Sequence, residues 1–527
     1  MRQIFSGQVG DHGTGRMTQL ADNRKSILPP AATAVVLSLA LCKLLVLLYS
    51  GRHYGFFRDE LYYLACSRHL DWGYVDQPPL IAVIGWLVRA TLGDSMLALR
   101  LLPALAGAAE VLLAALIARE MGGKKTAQFL AALATLTAPG LLATQSFFSM
   151  NAFEPLFWMG CAFLVIRMVN TGDQRLWVWF GVLAGFGLEN KHSMLIFGAG
   201  IFVGLILTPQ RNVFRSPWIW IGGAIVFILF LPNLVWNIQH HFPFVELQEN
   251  IRRNGRDTPL SFLAFFGQEI LAMNPLNLPL WLGGLWFFFV SEPGKRFRSL
   301  GWAWVFAAGV IVTVSPRVYY LFPAFPVLFA AGGVFWETQA HWRRYVWPIG
   351  LAATAIVSAP FAIPVLAPET YIRYSRALHI GPPPIETHKL GPLPQVFADR
   401  FGWEEMTAVV ASVYNSLPAE VRPKTAIFGQ NYGEAAAIDM FGPKYGLPAA
   451  ISGHQSYFFW GPRGHTGESV IVMHGVQQDL ESKFAEVHKV ARVEHPYSMP
   501  FEHFDVFYCR GLKKPLSEVW PSVKSWN

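Results

Sequence analysis

Charge is what this chain is short of. Only 14% of its 527 residues are Asp, Glu, Lys or Arg, while 53% are hydrophobic and the mean hydropathy is +0.33. An average soluble domain carries roughly 25% charged residues. A water-soluble globule is therefore excluded, and a membrane protein of many spans is indicated. Cysteine is also scarce, at four. Cys42 and Cys161 lie in apolar segments, where a thiol acts as a small hydrophobe. Cys66 and Cys509 are too isolated for a metal cluster, and the sequence leaves open whether they pair. No repeat of solenoid or propeller period occurs, and Gly429-Gln430-Asn431-Tyr432-Gly433 lacks the spacing of a dinucleotide loop. The net charge of +8 forms no basic stripe, so nucleic acid is not expected as a partner. The basic residues read as topology signals and contacts to anionic headgroups.

What the chain does have is a series of apolar blocks. The first, Ala31 to Ser50, follows a polar stretch containing Arg16, Arg24 and Lys25. It is about long enough to cross a bilayer and lacks a small-residue cleavage site, so it reads as an uncleaved anchor with residues 1–30 in the cytoplasm. Further blocks are Leu97–Ile117, Ala127–Phe147, Phe153–Ile166, Leu176–Leu188, Met194–Leu207, Trp218–Trp236, Leu278–Val290, Trp302–Val314, Tyr319–Phe335 and Val346–Val365. This predicts roughly eleven transmembrane helices, the short ones near Leu176–Leu207 and Leu278 fitting least well. Basic residues from Arg119 to Arg344 mark the turns assigned to the cytoplasm. Lys43, inside the first span, is expected to snorkel. Arg252, Arg253 and Arg256 crowd an outer loop and read as an anion site in preference to a topology error.

Composition changes after Pro368. Gly381-Pro382-Pro383-Pro384 reads as a stiff linker. Beyond it, Trp403–Leu417 looks amphipathic and Glu434–Phe441 helical, while Thr425–Gly429, Ser469–Met473 and Val506–Cys509 look like strands. The expected architecture is an α-helical polytopic domain over residues 31–367, followed by a soluble α/β domain over 368–527. An odd number of spans puts that domain outside the cytoplasm, with the protein in the inner (plasma) membrane.

The most informative stretch is Phe56-Phe57-Arg58-Asp59-Glu60-Leu61-Tyr62-Tyr63, just past the first span, followed by His69-Leu70-Asp71-Trp72-Gly73-Tyr74-Val75-Asp76-Gln77-Pro78-Pro79-Leu80. Charges are costly near hydrocarbon and persist there when a site needs them. An interfacial aromatic belt accounts for the tyrosines and tryptophan, but not for a carboxylate pair leading into Asp76-Gln77-Pro78-Pro79. Four more polar turns fall on the same side. They are Asn151 with Glu154; Glu189 to His192; Asn233, Trp236, Asn237, His240 and His241; and Arg317, Tyr319 and Tyr320. Acids in the first turn and cations in the third to fifth suggest one cleft that can both take a proton and hold a phosphate. His192, His240 and His241 have no zinc spacing, so a divalent metal is the minor reading. In the tail, Asn431–Glu434 and Gly453–Pro462 read equally as a carbohydrate or acceptor surface and as plain packing.

At these residues the chain resembles the family 39-type glycosyltransferases. These are relatives of the dolichyl-phosphate-mannose protein mannosyltransferases and of the bacterial aminoarabinose transferase, within the type-C superfamily. Arg58–Tyr63 and Asp71–Leu80 carry the specific part of the resemblance. Gly187–His192, Pro232–Asn237 and Arg317–Pro323 add weaker echoes, so that it covers about residues 30–370.

The resemblance implies inverting transfer of a sugar from a polyprenyl-phosphate carrier to a glycolipid, polysaccharide or protein acceptor. Asp59 matches the acid assigned as base, with Glu60 as its partner. Lys191 matches the turn lysine and is the first choice for the donor phosphate; Arg317, with Tyr320 as a hydrogen-bond donor, is the second. Arg58, Asp76, Gln77, His192 and Asn237 are further substrate-binding candidates. The leaving group is already a phosphate ester, so positive charge is needed and a general acid is not. No cofactor is implied beyond the lipid-linked sugar itself as substrate. One departure is that Gln77 stands before Pro78-Pro79-Leu80 where the aminoarabinose branch has lysine, which argues against lipid A aminoarabinose transfer.

The competing reading is a polytopic transporter or lipid flippase. Such proteins bury ionisable residues near mid-membrane on broken helices and show repeated halves. Here the acids lie beyond the span ends and the halves do not match. A receptor or scaffold with an inactive cleft would not need acids opposite cations.

Overall fold

The computed structural model describes residues 31–256, 259–314, 317–339, 343–381 and 387–527. The 1–30 segment and the Pro382–Pro384 run, expected as cytoplasmic leader and linker, lie outside the described residues, as do the Arg343 and Arg344 side chains.

The chain is a polytopic membrane protein. Among the described residues, six helical stretches are long and apolar enough to cross a bilayer: Thr33–Ser50, Met96–Glu120, Met150–Thr171, Pro217–Gln239, Lys295–Val314 and Val318–Glu337. Two further stretches are bent. The block expected as one span at Ala127–Phe147 is Lys125–Thr137 and Pro139–Gln145, meeting at 60°, because Pro139 cannot donate its backbone N–H to the preceding turn. Met194–Ile206 turns by 107° into Pro209–Arg215. Other blocks that the hydropathy reading took as crossings are shorter helices, such as Leu278–Phe289 and Leu176–Asn190.

Apolar helices that were not expected include Leu80–Thr91 and Phe262–Ala272, the latter after the arginine-rich loop. Leu37, Leu41 and Leu45 on the first helix, and Trp220, Phe227 and Ile228 on Pro217–Gln239, are exposed as lipid-facing residues are.

Lipid tails are as apolar as leucine, so these helices hold together by close packing rather than by the hydrophobic effect. Glycines supply the closeness. A Cβ on Gly181 would stand 2.4 Å from the Gly222 carbonyl oxygen, and one on Gly284 2.4 Å from that of Leu328. These are the crossings of Leu176–Asn190 with Pro217–Gln239 and of Leu278–Phe289 with Phe325–Glu337. Lys43 does not snorkel. It is 0% exposed, with Nζ 3.7 Å from Glu110 on the Met96–Glu120 helix and a bond to the Thr135 carbonyl oxygen at 3.4 Å. A partner across the helix interface replaces the escape to water.

The C-terminal region folds around a mixed four-stranded sheet of order β1-β2-β4-β3, with β1 Thr425–Phe428, β2 Ser469–Met473, β3 Phe484–Val493 and β4 Phe504–Leu512. β1 and β2 are parallel, joined across helix Tyr432–Phe441, and the other pairings are antiparallel. β3 was not expected. It is an edge strand carrying Glu486, Lys489 and Arg492, charges that guard an edge and erase the apolar alternation.

This unit does not stand apart from the membrane part. A single hydrophobic cluster contains Leu61, Tyr62, Leu64, Cys66 and Ile81 from the first outer loop together with Trp403, Met406, Ile427, Ala435, Ile471 and Val506. All four cysteines are free thiols.

Candidate active site

Asp59 and Glu60 were expected in a loop. They lie instead in the first turn of helix Arg58–Arg68, where carboxylates complement the exposed N–H groups of a helix start. Eight consecutive residues from Glu60 to Ser67 are buried, so the helix shows no amphipathic stripe and was illegible by periodicity.

One residue apart, the two carboxylates face opposite surroundings. Glu60 is 0% exposed. It accepts the Phe57 N–H at 2.8 Å, the Phe148 N–H at 2.7 Å, and Arg100 Nε and Nη2 at 2.9 and 2.6 Å. Burial pulls its pKa up, but Arg100, the charge of Arg400 and the Phe148 N–H prevail, and the carboxyl lies below its ordinary range. The oxygens of Glu60, expected as a catalytic partner, are occupied in tying the first loop to the Met96–Glu120 helix. Arg100, which the sequence reading passed over, also donates to the Gly51 and Gly55 carbonyl oxygens at 2.9 and 2.7 Å.

Asp59 keeps 31% of its side chain exposed. Its Oδ1 accepts the Tyr432 hydroxyl at 2.7 Å and lies 3.9 Å from Arg58 Nε. Asp76 accompanies it as expected from the sequence pattern. The Tyr62 hydroxyl lies 3.0 Å from Asp76 Oδ1 and 2.7 Å from Ser456 Oγ. Burial pushes the Asp76 carboxyl up to about 7; the Tyr62 hydrogen bond opposes the shift and the Asp59 charge adds to it. Near neutrality Asp76 is thus an acid able to carry a proton.

Lys191 sits in the turn before Met194, with Nζ 2.7 Å from Asn151 Oδ1 and 2.8 Å from Glu154 Oε2. Glu154 also accepts the Ser193 hydroxyl. An ammonium has three N–H donors, and these contacts use two of them. The Lys191 ammonium lies over the ring of Tyr320 at 4.3 Å, and Tyr320 stacks on Tyr319 with centroids 4.7 Å apart. Arg317 is near enough for its charge to act on the Tyr320 phenol. The second, third and fifth outer turns therefore meet, as expected.

The other candidates contact neighbouring elements of the fold. Gln77 is buried, with Nε2 3.7 Å from Cys66 Sγ. His192 Nε2 lies 3.3 Å from Asn233 Oδ1, Asn237 donates to Asn233, and Asn233 donates to the Trp72 carbonyl oxygen at 2.7 Å. This network braces the first loop on the Pro217–Gln239 helix. Gly73 makes the contact possible, since a Cβ there would come 2.4 Å from the Trp236 ring. Arg58 accompanies Asp59 but is turned to the tail, its guanidinium 3.6 Å from Asp399 Oδ2 and 5.5 Å from the Tyr432 ring centre. Of the three arginines read as an anion site, Arg253 pairs with Glu249 at 3.2 Å, while Arg256 lies close enough for its charge to act on Tyr432 and His454. Among the described residues no group of three His, Cys, Asp or Glu side chains is placed to hold a metal ion.

Residues 76–236 match the family model of dolichyl-phosphate-mannose-protein mannosyltransferases. The chain is 25% identical over 347 residues to lipid A galacturonosyltransferase RgtD of Rhizobium johnstonii, covering 63% of this chain and 69% of that protein. In fold it is similar to ArnT from Cupriavidus metallidurans, solved bound to undecaprenyl phosphate. The TM-score is 0.59 at 15% identity, over 91% of this chain and 98% of that one. It is also similar to the archaeal oligosaccharyltransferase AglB from Archaeoglobus fulgidus, with TM-score 0.51 at 13% identity, over 83% of this chain and 69% of that one. The matched family and relatives are membrane glycosyltransferases, and this chain shares the fold of ArnT and AglB.

Proposed function

We propose that this protein transfers a sugar from a polyprenyl phosphate to a hydroxyl of a glycolipid acceptor, with inversion, at the outer face of the inner membrane. Asp59 takes the proton of the acceptor hydroxyl as it attacks the anomeric carbon. The third N–H of Lys191 and the Arg317–Tyr320 pair receive the departing lipid phosphate, whose growing charge is stabilised by donors already in place. Asp76 sets the charge around Asp59 through Tyr62. The observation that carries this reading is the partly exposed Asp59 carboxylate, held by one short hydrogen bond beside an acid shifted towards neutrality, with Tyr63 close enough to feel the charges of Asp59, Asp76 and Tyr319 alike. Lipid A galacturonosyl transfer by the relative RgtD supports a uronic acid donor and a lipid A-type acceptor as the first pair to test.

Purified protein incubated with radiolabelled undecaprenyl-phosphate sugars (uronic acid, pentose and hexose) and lipid A or a membrane lipid extract is expected to yield a labelled glycolipid. Label that crosses a bilayer without any new covalent product would select the transporter instead. In the same reading, the unit holding β1–β4 lies outside the cytoplasm. A reporter fused after Asn527 that works only there is expected to be active; activity confined to a cytoplasmic reporter would reverse the orientation.

A further inference from the structure

The tail motifs flagged in the sequence meet the acid pair, and the mechanism above does not use them. Helix Tyr432–Phe441 begins with reciprocal caps: Asn431 Oδ1 accepts the Glu434 N–H at 2.9 Å and Glu434 Oε2 accepts the Gln430 N–H at 2.7 Å. This fixes Tyr432 as the first residue of the helix. Gly433 lets that helix end approach the first loop, because a Cβ there would stand 2.6 Å from Arg58 Cγ.

The Tyr432 ring is then held on three sides. His454 stacks on it with centroids 5.0 Å apart and planes 3° from parallel, Tyr62 lies at 4.7 Å, and the Arg58 guanidinium lies at 5.5 Å. The Tyr432 N–H donates to His454 Nδ1 at 3.0 Å, and His454 Nε2 faces Asn527 Oδ1 at 3.0 Å. Burial pushes the imidazole pKa down to about 4, so the ring is neutral and Nδ1 is free to accept. So fixed, the Tyr432 hydroxyl ends 2.7 Å from Asp59 Oδ1. Among the described residues no hydrogen bond falls on Asp59 Oδ2.

We propose that Tyr432, delivered by the C-terminal unit, is a positioning residue for Asp59. It anchors Oδ1 and so turns Oδ2 towards the acceptor hydroxyl. The C-terminal unit is on this account part of the catalytic apparatus rather than a cover. The inference rests on Asp59 being the base. Tyr432 acts only through it, so its loss slows the chemical step and leaves donor binding alone, because an interaction that orients a base is realised in the transition state.

The test uses the full-length protein in detergent and the radiolabelled undecaprenyl-phosphate sugar that gives product with wild type. Tyr432→Phe keeps the stacked ring and removes only the hydroxyl. It is expected to lower kcat by about tenfold or more, with donor KM and Tm essentially unchanged. Asp59→Asn and Asp59→Asn/Tyr432→Phe are compared, and the double variant is expected to be no slower than Asp59→Asn alone. Full activity of Tyr432→Phe, additive losses in the double variant, or activity lost only in proportion to folded protein would each overturn the inference. Absence of transfer by wild type, or full transfer by Asp59→Asn, would instead overturn the proposed function.

Discussion

Asp59→Asn is expected to reduce sugar transfer by ~10²–10⁴-fold, the usual loss when a general base is removed. The substitution isolates chemistry from folding better here than in most enzymes. Asn Oδ1 can still accept the Tyr432 hydroxyl that now lies 2.7 Å from the carboxylate, and the partly exposed side chain anchors no core. Insertion and Tm should therefore hold while kcat collapses. Losing the Asp59 charge also removes one of the two influences that raise the Asp76 pKa. Asp76 should then ionise at lower pH in the variant, and any residual activity should extend further to the acid side. The measurement is initial rate against pH for wild type and variant in one detergent. Wild-type rates would remove the first loop from the catalytic account.

Glu60→Gln, one residue away, should fail in the opposite manner. Glu60 is the carboxylate between two buried arginines, Arg100 at 2% exposed and Arg400 at 1%. Arg400 donates to Ser146 Oγ at 2.9 Å, and burial together with repulsion from Arg100 already pushes its guanidinium pKa down to about 9. An amide cannot balance two cations. Its NH₂ would also face N–H donors where the carboxylate now accepts four bonds. Breaking a buried ion pair from one side costs about 3–5 kcal/mol, a large share of a typical stability of about 5–15 kcal/mol. The expected result is little folded protein after solubilisation, and a much lower Tm in whatever survives. Glu60→Gln/Arg100→Met, which removes a cation along with the carboxylate, should recover part of that loss. A Glu60→Gln protein with wild-type Tm and impaired kcat would return Glu60 to the chemistry.

These adjacent acids show where sequence reading stops. Asp-Glu beside a span end says that charge is wanted there, but one helical step of about 100° decides which carboxylate meets solvent and which meets Arg100. Nothing in Arg58–Tyr63 encodes that rotation. It follows from the Phe57 cap and from a core shared with the C-terminal sheet. Lys191 was legible as a cation in an outer turn, but its pairing with Glu154 was not, since the two lie on separate helices and face each other only after packing. Lys43 was misread for the same reason: its partner Glu110 sits on another span.

The sequence by itself determined the membrane class and the order of apolar blocks. Those follow from transfer free energies and charge bias that act on each segment locally. It also marked Asp59, Asp76, Lys191 and Arg317 by residue type and neighbourhood. The tertiary structure alone brought Glu60 to Arg100, His192 and Asn237 to Asn233, and Tyr432 to Asp59 and Ser456 to Tyr62 from the far end of the chain. Hydrogen bonds and ion pairs act over a few ångströms, and residues hundreds of positions apart come within that range only once helices and sheet have packed.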